Sequence, residues 1–527
     1  MTVLKIDNKQ VTVPEHSTIL EAALKLGIKI PTLCYEEGFE HTTSCMICVV
    51  MDVRNGRFLP ACSAMVMEDQ EIETDNDQIR EARKETLDLL LSEHIGNCEA
   101  PCMKSCPAYM NIPLMIRQIK EKKFTESLIT VKENIALPAV LGRICPAPCE
   151  RGCNRKYFDN SVSICLLKRF VADSDLLNKT PFVPVCKQES KKNVAIIGSG
   201  PAGLAAAYYL CREGHTCTIY DKNEHPGGLL RYGVPDDRLD KKVLDAEIGI
   251  IQNMGVQFKM FQTLGIDFSL NEMQQESDAV VVVTGTIEDK LLFRDLEMSS
   301  KGLHVNRKTF ETNIPGIFAG GNVLGEGRMA IRSCAHGKFI AYSVNQYLNQ
   351  KPVTGYPRRF NSVIGRLTKN EAGRLLQLAR EIEQIIPENS PGGFEDNEAV
   401  NEAERCLHCD CRKPVSCKLR KYADQYGAEQ RRFMVGARSD FELVVQHDFV
   451  LYEPGKCIKC GLCVQITERA GEKYGLTFIG RGFDVRVAVP LNKSMHDGLQ
   501  KVAQKCVDTC PTAALALINP PEENQRE

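Results

Sequence analysis

The sequence predicts a multidomain protein that combines α+β and α/β regions, and three observations lead to this prediction. The chain has 527 residues, which is enough for several domains. Its 24 cysteines fall mainly in short runs of the C-x2-C and C-x3-C type. A single glycine-rich loop, Gly198-Ser199-Gly200-Pro201-Ala202-Gly203, stands between those runs. The cysteine runs and the loop therefore mark regions of different architecture.

The overall composition is that of an ordinary folded protein. Apolar residues make up 43% of the chain, charged residues 25%, and the formal net charge is −2, which gives no reason to expect a nucleic-acid or anionic-membrane partner. No apolar run approaches the roughly 18 residues that span a bilayer. The first residues lack a basic and then apolar signal segment. Abundant cysteine without an export signal predicts reduced thiols and a cytoplasmic location.

The first region, residues 1–75, is predicted to be a small β-rich domain of β-grasp type. The stretches Val3–Ile6 and Val11–Val13 alternate apolar and polar residues around a turn. Thr18 and Glu21 have the spacing of a capping box, which predicts the start of a helix.

The region 76–185 is predicted to be mainly helical and begins with an amphipathic helix over Asp75–Ser92. Residues 190–350 read as α/β, with strands at Val194–Ile197 and Cys217–Tyr220 and a helix over 201–213. The remaining predicted parts are a helical segment at 351–430, a linker rich in Pro, Gly and acidic residues at Pro387–Glu398, and a ferredoxin-like end at 440–520.

The first cysteine group has the spacing C-x10-C-x2-C-x13-C. A long first gap, a tight pair and a distant fourth thiol suit a loop around a two-iron cluster. A four-cysteine zinc site is the alternative. The spacing resembles the N-terminal [2Fe–2S] domain of the large iron–sulfur subunit of complex I and of related soluble hydrogenases. The predicted ligands are Cys34, Cys45, Cys48 and Cys62.

The second cysteine group consists of two triplets, which predict two [4Fe–4S] clusters. The segments CEAPCMKSCP and GRICPAPCERGC resemble the N-terminal cluster domain of the glutamate synthase small subunit and of dihydropyrimidine dehydrogenase. The resemblance implies one cluster on Cys98, Cys102 and Cys153, and another on Cys106, Cys145 and Cys149.

Each of these two clusters needs a fourth ligand. His94 is the candidate for the first, because it lies four residues before Cys98, although a surface histidine at a helix end is an equal alternative. For the second, the family's non-cysteine ligand falls at Lys168, which binds iron poorly when protonated. Cys165, one helical turn away, is the predicted substitute.

The third cysteine group is compact enough for a single [4Fe–4S] cluster, with a zinc site as the alternative. Its predicted ligands are Cys406, Cys409, Cys411 and Cys417.

The last cysteine group follows the pattern of two-cluster ferredoxins, in which the fourth cysteine of each run binds the other cluster. Thr467 occupies the fourth position of the first run, and the second run keeps only Cys506 and Cys510. One complete ligand set therefore remains, namely Cys457, Cys460, Cys463 and Cys510. Cys506 is predicted to be a buried thiol.

The other cysteines stand singly in apolar surroundings and are predicted to be small core residues. They are Cys186, Cys211, Cys217 and Cys334.

The glycine-rich loop follows a predicted strand and opens a helix, which is the context of a dinucleotide-binding turn. Asp221 ends the next strand, where an acidic residue binds a ribose hydroxyl. The loop by itself does not distinguish FAD from NAD. The candidate residues are Gly198, Gly200, Pro201, Ala202, Gly203 and Asp221.

Two further segments resemble flavin-binding motifs of the glutamate synthase small subunit, and this resemblance implies FAD. They are NEHPGGLLRYGVPDDRL (223–239) and IPGIFAGGNVLGEG (314–327). Relatives insert an NAD(P)H-binding domain between the motifs, whereas only a few tens of residues separate Gly285 from Gly320 here. We therefore expect no NAD(P) site of this kind. The additional candidate flavin contacts are Gly228, Leu229, Arg231, Gly321 and Asn322.

Together these features predict an iron–sulfur flavoprotein oxidoreductase subunit for electron transport, with one FAD, one [2Fe–2S] and four [4Fe–4S] clusters and no catalytic nucleophile of its own. The resemblances imply one partner with FMN and an NAD(H) site, and another such as a hydrogenase or formate dehydrogenase. Ferredoxin is a further candidate partner, and electron bifurcation or transhydrogenation are candidate activities. A self-contained FAD-dependent reductase of a small molecule is the alternative.

Overall fold

The computed structural model describes residues 1–326, 329–389 and 391–520. They form two compact units, each discontinuous in sequence. The first comprises Met1–Ala100, Arg359–Leu378 and His408–Glu527, and the second comprises Pro101–Arg358 and Ala379–Leu407.

The strands, in chain order, are β1 (Thr2–Ile6), β2 (Lys9–Val13), β3 (Val49–Asp52), β4 (Arg57–Pro60), β5 (Glu71–Glu73), β6 (Asn193–Ile197), β7 (Thr216–Tyr220), β8 (Gln257–Lys259), β9 (Ala279–Val282), β10 (Ile317–Ala319), β11 (Val450–Tyr452), β12 (Thr477–Ile479), β13 (Arg486–Ala488) and β14 (Leu515–Leu517).

The α-helices are α1 (Ile19–Lys25), α2 (Asp77–Ser92), α3 (Pro101–Ser105), α4 (Ile112–Lys120), α5 (Phe124–Lys132), α6 (Pro138–Ile144), α7 (Pro148–Arg151), α8 (Ile164–Leu176), α9 (Pro201–Arg212), α10 (Leu229–Tyr232), α11 (Lys241–Asn253), α12 (Leu270–Glu276), α13 (Ala330–Leu348), α14 (Lys369–Leu375), α15 (Asp396–Glu404), α16 (Lys418–Gln425), α17 (Leu462–Arg469), α18 (Met495–Gly498) and α19 (Ala503–Thr509).

The N-terminal part of the first unit is a five-stranded sheet in the order β2-β1-β5-β3-β4. Strands β1 and β5 are parallel, and the other pairs are antiparallel. Helix α1 begins at the predicted capping box, in which the Thr18 hydroxyl and the Glu21 carboxylate each accept a backbone N–H of the other residue. The mixed sheet with its helix confirms the predicted small β-rich domain.

The C-terminal part of the first unit contains two small antiparallel pairs, β11 with β14 and β12 with β13. Helices α17 and α19 pack on the first pair around a core that includes Ile466, Val507 and Leu515. Helix α2 begins two residues later than predicted, because Asn76 serves as its N-cap and accepts the N–H of Ile79.

The second unit is built on a five-stranded parallel sheet in the order β10-β9-β6-β7-β8. Its strands are almost fully buried at β6, β9 and β10, as expected for a parallel sheet covered on both faces. Helices α9 and α13 approach closely, and a Cβ at Gly337 would collide with the carbonyl of Ala202. The predicted strand–helix–strand unit is confirmed, with bounds within one residue of those expected.

Helices α3 to α8 form the helical part of the second unit. The buried carboxylate of Glu247 accepts the N–H groups of Ala139 and Val140 at the start of α6, 2.9 Å from each nitrogen. Burial raises the pKa of Glu247 to about 7. This side chain ties the cysteine-bearing helices to α11 within one packed unit.

The linker predicted at Pro387–Glu398 ends earlier in the structure than expected. Helix α15 already begins at Asp396, and a capping box between Glu395 and Glu398 explains the start. An acidic run that looks like a linker therefore supplies a helix cap. Ser390, within the predicted linker, and Gly327, at the end of the second flavin motif, lie outside the described residues.

The connection between β9 and β10 is short. In residues 283–316, all of which are described, the structure has one 3-10 helix, Lys290–Phe293, and isolated bridges rather than a further sheet. Within the part of the chain that is described, none of the helices is long and apolar enough to cross a membrane.

Candidate functional site: four cysteine centres and a glycine-rich loop

The first cysteine centre lies in the N-terminal domain, where a hairpin brings distant cysteines together. Cys48 precedes β3 and Cys62 follows β4, and the pairing of these strands places the two thiols in contact. Cys34 and Cys45 come from the loop before β3, and Cys34 contacts both Cys45 and Cys62. Hydrogen bonds from Cys45 and Cys62 lower the pKa of Cys34 to about 2. The structure thus gathers the four cysteines predicted to hold a [2Fe–2S] cluster.

A second centre of the first unit is formed by the cysteines of the ferredoxin-like end. They line one cavity together with Tyr452 and are Cys457, Cys460, Cys463 and Cys510. Burial raises the pKa of Cys460 to about 12, with smaller contributions from its neighbouring thiols. Thr467, at the position where a fourth cysteine would stand in a two-cluster ferredoxin, is fully buried and accepts the N–H of Leu476 through its hydroxyl. It therefore has a structural role.

Cys506, the remaining cysteine of this end, is 1% exposed. Its thiol donates to the carbonyl of Cys463 at 3.9 Å. It lies behind the cavity lining, as a buried thiol.

A third centre of the first unit unites cysteines that the spacing had put in different groups. Cys98 lies beside Cys411 and Cys417, and the three thiols interact electrostatically. The N–H of Cys411 donates to the carbonyl of Cys98, with 3.2 Å between nitrogen and oxygen. Ser362 contributes a hydroxyl 3.2 Å from the Cys98 sulfur. This arrangement differs from the predicted grouping of Cys98 with Cys102 and Cys153.

The imidazole of His94, the predicted fourth ligand at this end, faces Lys456. Burial, with the nearby charge of Lys456, lowers the pKa of His94 to about 3. Lys456 itself forms a buried ion pair with Glu453, 2.6 Å between Nζ and Oε1. His94 is therefore a neutral, partly buried side chain at the end of α2.

The fourth centre lies in the second unit and contains the predicted substitute ligand. Cys145 caps α6, Cys149 lies in α7 and Cys165 in α8, and the Cys165 thiol contacts both of the others. Cys106, which follows α3, and the same three thiols all surround the ammonium group of Lys168. Burial alone would lower the pKa of Lys168, but the negative charge of these thiols raises it above its usual value.

The other predicted cluster cysteines are placed as follows. Cys102 lies on α3, which packs tightly against Gly152 after α7, and Cys153 follows that glycine. Burial raises the pKa of Cys153. Cys406 comes directly after α15 in the second unit, whereas Cys409 falls in the first unit. Among the residues that the structure describes, no group of three or more His, Cys, Asp or Glu side chains is arranged to hold a single metal ion.

The glycine-rich loop connects β6 to α9 in the predicted way. Gly198 has a φ of +116°, and a Cβ at Gly203 would collide with the carbonyl of Gly198, so both positions require glycine. Gly200 is the N-cap of α9 and Pro201 its first residue. A Cβ added to Gly200 would meet no atom within 4 Å, which leaves the open space that a pyrophosphate needs above the helix N-terminus.

Asp221 lies at the end of β7 and holds the loop. One of its carboxylate oxygens accepts both the N–H and the hydroxyl of Ser199, at 2.7 and 2.6 Å. The other accepts from the backbone and side chain of Asn223. These hydrogen bonds hold the glycine-rich loop against the end of β7.

The segment that follows β7 lies beside the glycine-rich loop. Gly228, with a φ of +52°, starts α10, and a Cβ there would come within 2.9 Å of Gly200 Cα. Leu229 is 47% exposed beside it. The guanidinium group of Arg231 pairs with Asp245 and donates to the carbonyl of Pro226, 2.7 Å away.

The second predicted flavin motif forms a hydrogen bond with helix α13. The N–H of Gly321 donates to Nδ1 of His336, 3.1 Å away, and Asn322 donates through its side chain to the Thr286 hydroxyl, 2.8 Å away. Burial lowers the pKa of His336 to about 4. Sequence reasoning missed His336, because nothing in the spacing connects a helical histidine to a glycine 15 residues earlier.

Three of the four single cysteines are core residues as predicted, namely Cys211, Cys217 and Cys334. Cys186 is only partly buried and packs against the same core. The spacing did not indicate that the Cys211 thiol contacts those of both Cys186 and Cys217.

Three families match consecutive parts of the chain. A [2Fe–2S] iron–sulfur cluster binding domain covers residues 1–77. Domain II of dihydropyrimidine dehydrogenase, with a [4Fe–4S] cluster, covers residues 78–180. An NAD(P)-binding Rossmann-like domain covers residues 196–264. The prediction of iron–sulfur domains joined to a Rossmann-like domain is confirmed.

Curated relatives include subunits of several oxidoreductases. The chain is 44% identical over 200 residues to the NADPH-Fe(3+) oxidoreductase subunit beta of Geobacter sulfurreducens, covering 37% of this chain and 30% of that protein. It is 42% identical over 190 residues to the NAD-dependent dihydropyrimidine dehydrogenase subunit PreT of Escherichia coli, covering 36% and 46%. The glutamate synthase [NADPH] small chain of Bacillus subtilis is 34% identical over 199 residues, covering 38% and 40%. The predicted resemblance is confirmed.

The chain thus spans less than half the length of these relatives. A solved structure, the NAD+-reducing [NiFe]-hydrogenase in its H2-reduced state, aligns with 98% of this chain and 87% of its own, at 10% identity and a TM-score of 0.35. A TM-score at this level does not establish a shared fold.

Proposed function

We propose that this chain is the electron-transfer subunit of a multi-subunit oxidoreductase, with iron–sulfur clusters and one FAD that carry electrons between the active centres of its partners. The observation that carries the proposal is the packing of three cysteine centres in the first unit. Cys34, Cys45, Cys417 and Cys460 contribute to one apolar core, although they belong to three different centres.

Short contacts link the first two of these centres. The hydroxyl of Thr42, in the loop that carries Cys34 and Cys45, donates to the carbonyl of Cys460 at 3.1 Å. The charge of Cys34 also contributes to the raised pKa of Cys460, after the larger effect of burial. The [2Fe–2S] centre and the ferredoxin-like centre are thus neighbours.

A lysine connects the ferredoxin-like centre to the third centre, which contains Cys98, Cys411 and Cys417 and is called the Cys98 centre below. Lys413 lies between Cys411 and Cys417 in sequence and donates to the carbonyl of Cys510, 2.9 Å away. The ferredoxin-like centre therefore contacts both the Cys34 centre and the Cys98 centre. We propose that electrons pass through it from one of these centres to the other.

The glycine-rich loop supports a bound dinucleotide, and the resemblance of both flanking motifs to the glutamate synthase small subunit supports FAD. When bound, FAD exchanges electrons in pairs or singly, which connects two-electron and one-electron donors. The N-terminus of α9 and the backbone N–H groups of the loop would bind the pyrophosphate of this ligand.

The partners that we propose are a subunit with FMN and an NAD(H) site, and a hydrogenase or formate dehydrogenase. Ferredoxin is a further proposed partner, with electron bifurcation or transhydrogenation as the overall activity in the cytoplasm. The short connection between β9 and β10 favours a partner's nicotinamide site over one in this chain.

The test is an anaerobic reduction experiment on the purified chain. NADH and NADPH alone should leave the flavin and cluster absorbance unchanged, whereas dithionite should bleach it, and a one-electron acceptor should restore it. Rapid oxidation of NADH or NADPH by the single chain would contradict the proposal and favour a self-contained reductase.

A variant tests the proposed order. Cys460→Ser should leave the [2Fe–2S] signal in electron paramagnetic resonance spectra, but slow its reoxidation by acceptors that react at the Cys98 centre. Cys506→Ser is the matched control in the same domain, since that thiol lies behind the cavity. Equal rates in both variants would contradict the order.

A further inference from the structure

Three cysteines outside the cluster centres meet near the N-terminal ends of β6 and β7 in the Rossmann-like sheet. Cys186 lies before β6, Cys211 on the last turn of α9 and Cys217 in β7. The Cys211 thiol is in hydrogen-bonding contact with the other two. Both the Cys186 and the Cys211 sulfur also approach the carbonyl oxygen of Met254, at 4.0 and 3.3 Å.

Backbone hydrogen bonds hold the Cys186 segment against the end of α9. The N–H of Lys187 donates to the carbonyl of Arg212 at 2.9 Å, and the N–H of Ser190 donates to that of Gly214 at 2.8 Å. Gly214 has a φ of +89°, and a Cβ there would collide with the carbonyl of Gln188. The proximity of Cys186 to Cys211 is therefore fixed by main-chain contacts on both sides.

The three thiols differ in access to solvent. Cys186 is partly exposed, Cys211 is 6% exposed and Cys217 is fully buried. A hydrogen bond from Cys217, assisted by one from Cys186, lowers the pKa of Cys211 against the opposing effect of burial. Burial and the neighbouring Cys211 raise the pKa of Cys186. The group thus combines one accessible thiol with one inner thiol whose pKa is lowered.

We propose that Cys186 and Cys211 form a reversible redox pair, in which a low-molecular-weight disulfide converts the two thiols to an intramolecular disulfide. The Cys186 thiolate attacks the small disulfide, forms a mixed disulfide and releases one thiol. The Cys211 thiolate then attacks the Cys186 sulfur and releases the second thiol. The protein pair loses two electrons and two protons, and the small disulfide gains both.

Cys217 acts as a positioning residue in this scheme. Its thiol lies on the far side of Cys211, within β7, and donates toward it without reaching solvent. The product would connect the segment before β6 to the end of α9, away from the glycine-rich loop at the other end of that helix. The site is therefore separate from the proposed flavin and cluster centres.

Trypsin places the three cysteines in three separate peptides, so mass spectrometry can identify which two of them are joined. Cleavage after lysine and arginine leaves Cys186 in Thr180–Lys187, Cys211 in Asn193–Arg212 and Cys217 in Glu213–Lys222. The chain with its cofactors is incubated anaerobically with oxidised glutathione, free thiols are alkylated, and the digest is analysed by mass spectrometry. Cluster absorbance is followed throughout, so that only samples with intact centres are compared.

We expect Thr180–Lys187 joined to Asn193–Arg212, and loss of that species after dithiothreitol. Cys211→Ser should stop the reaction at a glutathione adduct on Cys186, and Cys217→Ser should still give the linked peptides, but more slowly. Cys334→Ser is the control and should behave as the unmodified chain. Full alkylation of Cys186 and Cys211, a stable glutathione adduct on Cys186 of the unmodified chain, or linkage to Glu213–Lys222 would each overturn the proposal.

Discussion

The ammonium group of Lys168 lies 3.9 Å from the sulfur of Cys165, and it donates a second hydrogen bond to the carbonyl of Leu141 at 3.2 Å. The side chain is 3% exposed, and its positive charge interacts electrostatically with the nearby thiols of Cys106, Cys145 and Cys149. The family's non-cysteine ligand position falls at Lys168, and the sequence predicts Cys165 as the ligand in its place. In the structure Lys168 is a buried positive charge beside four thiols.

The first prediction concerns that charge. Lys168→Met should lower the midpoint potential of the cluster at this centre, because reduction adds negative charge that the ammonium group no longer offsets. A redox titration followed by electron paramagnetic resonance measures the change. Lys132→Met is the matched control, since Lys132 is also a buried lysine of the second unit but pairs with Asp175. Equal potentials in all three proteins would show that the charge has no such role.

A second prediction concerns the fourth ligand of the same centre. Cys165→Ser should remove one [4Fe–4S] cluster, a loss of about four iron atoms and four sulfides per chain by the composition of such a cluster. Cys334→Ser, a buried thiol in the same unit, should retain the full content. Iron and acid-labile sulfide assays on anaerobic samples measure both, and an unchanged content in Cys165→Ser would exclude that residue as a ligand.

A third prediction tests the glycine-rich loop. Gly203→Ala should abolish flavin retention, because its Cβ would collide with the carbonyl of Gly198 and displace the loop. Gly249→Ala, in α11, has open space around the new methyl group and should keep flavin, with a gain in unfolding free energy of about 0.5–1 kcal/mol. Flavin released on denaturation is measured by fluorescence. Normal flavin content in Gly203→Ala would contradict this account of the loop.

The fourth prediction concerns pH. Burial lowers the pKa of His336 from 6.5 to about 4, so the unfolded chain binds a proton on this residue at a higher pH than the folded protein. Its contribution to stability is thus present above pH 6.5 and is lost as the pH falls toward 4.

His336→Gln should reduce the loss of stability over that range, by about 3 kcal/mol at most. Thermal unfolding between pH 4 and 7, with intact clusters checked by absorbance, measures the difference between the two proteins. Parallel pH profiles would show that His336 does not titrate in this way.

Cysteine spacing predicted the centres best where local structure brings the ligands together. Cys48 and Cys62 meet because β3 and β4 form a hairpin, and Cys457, Cys460 and Cys463 come from one short run. The strand and helix around Gly198 were also predictable, because a buried apolar run, a glycine-rich turn and a helix start follow one another directly.

Contacts between distant segments were not predictable from spacing. Cys98 meets Cys411 and Cys417 only because the chain returns to the first unit after a long excursion into the second. The contact of Cys186 with Cys211 likewise depends on backbone pairing beyond α9, and no motif relates those positions. Tertiary packing decides both groupings.

The most direct test of the central claim is the cofactor content of the chain isolated without oxygen. Iron, acid-labile sulfide and flavin are measured on one sample, together with its electron paramagnetic resonance spectrum after reduction. We predict iron and acid-labile sulfide at least sufficient for clusters at the four cysteine centres, with one FAD per chain. A sample that contains neither sulfide nor flavin would contradict the claim that this protein conducts electrons.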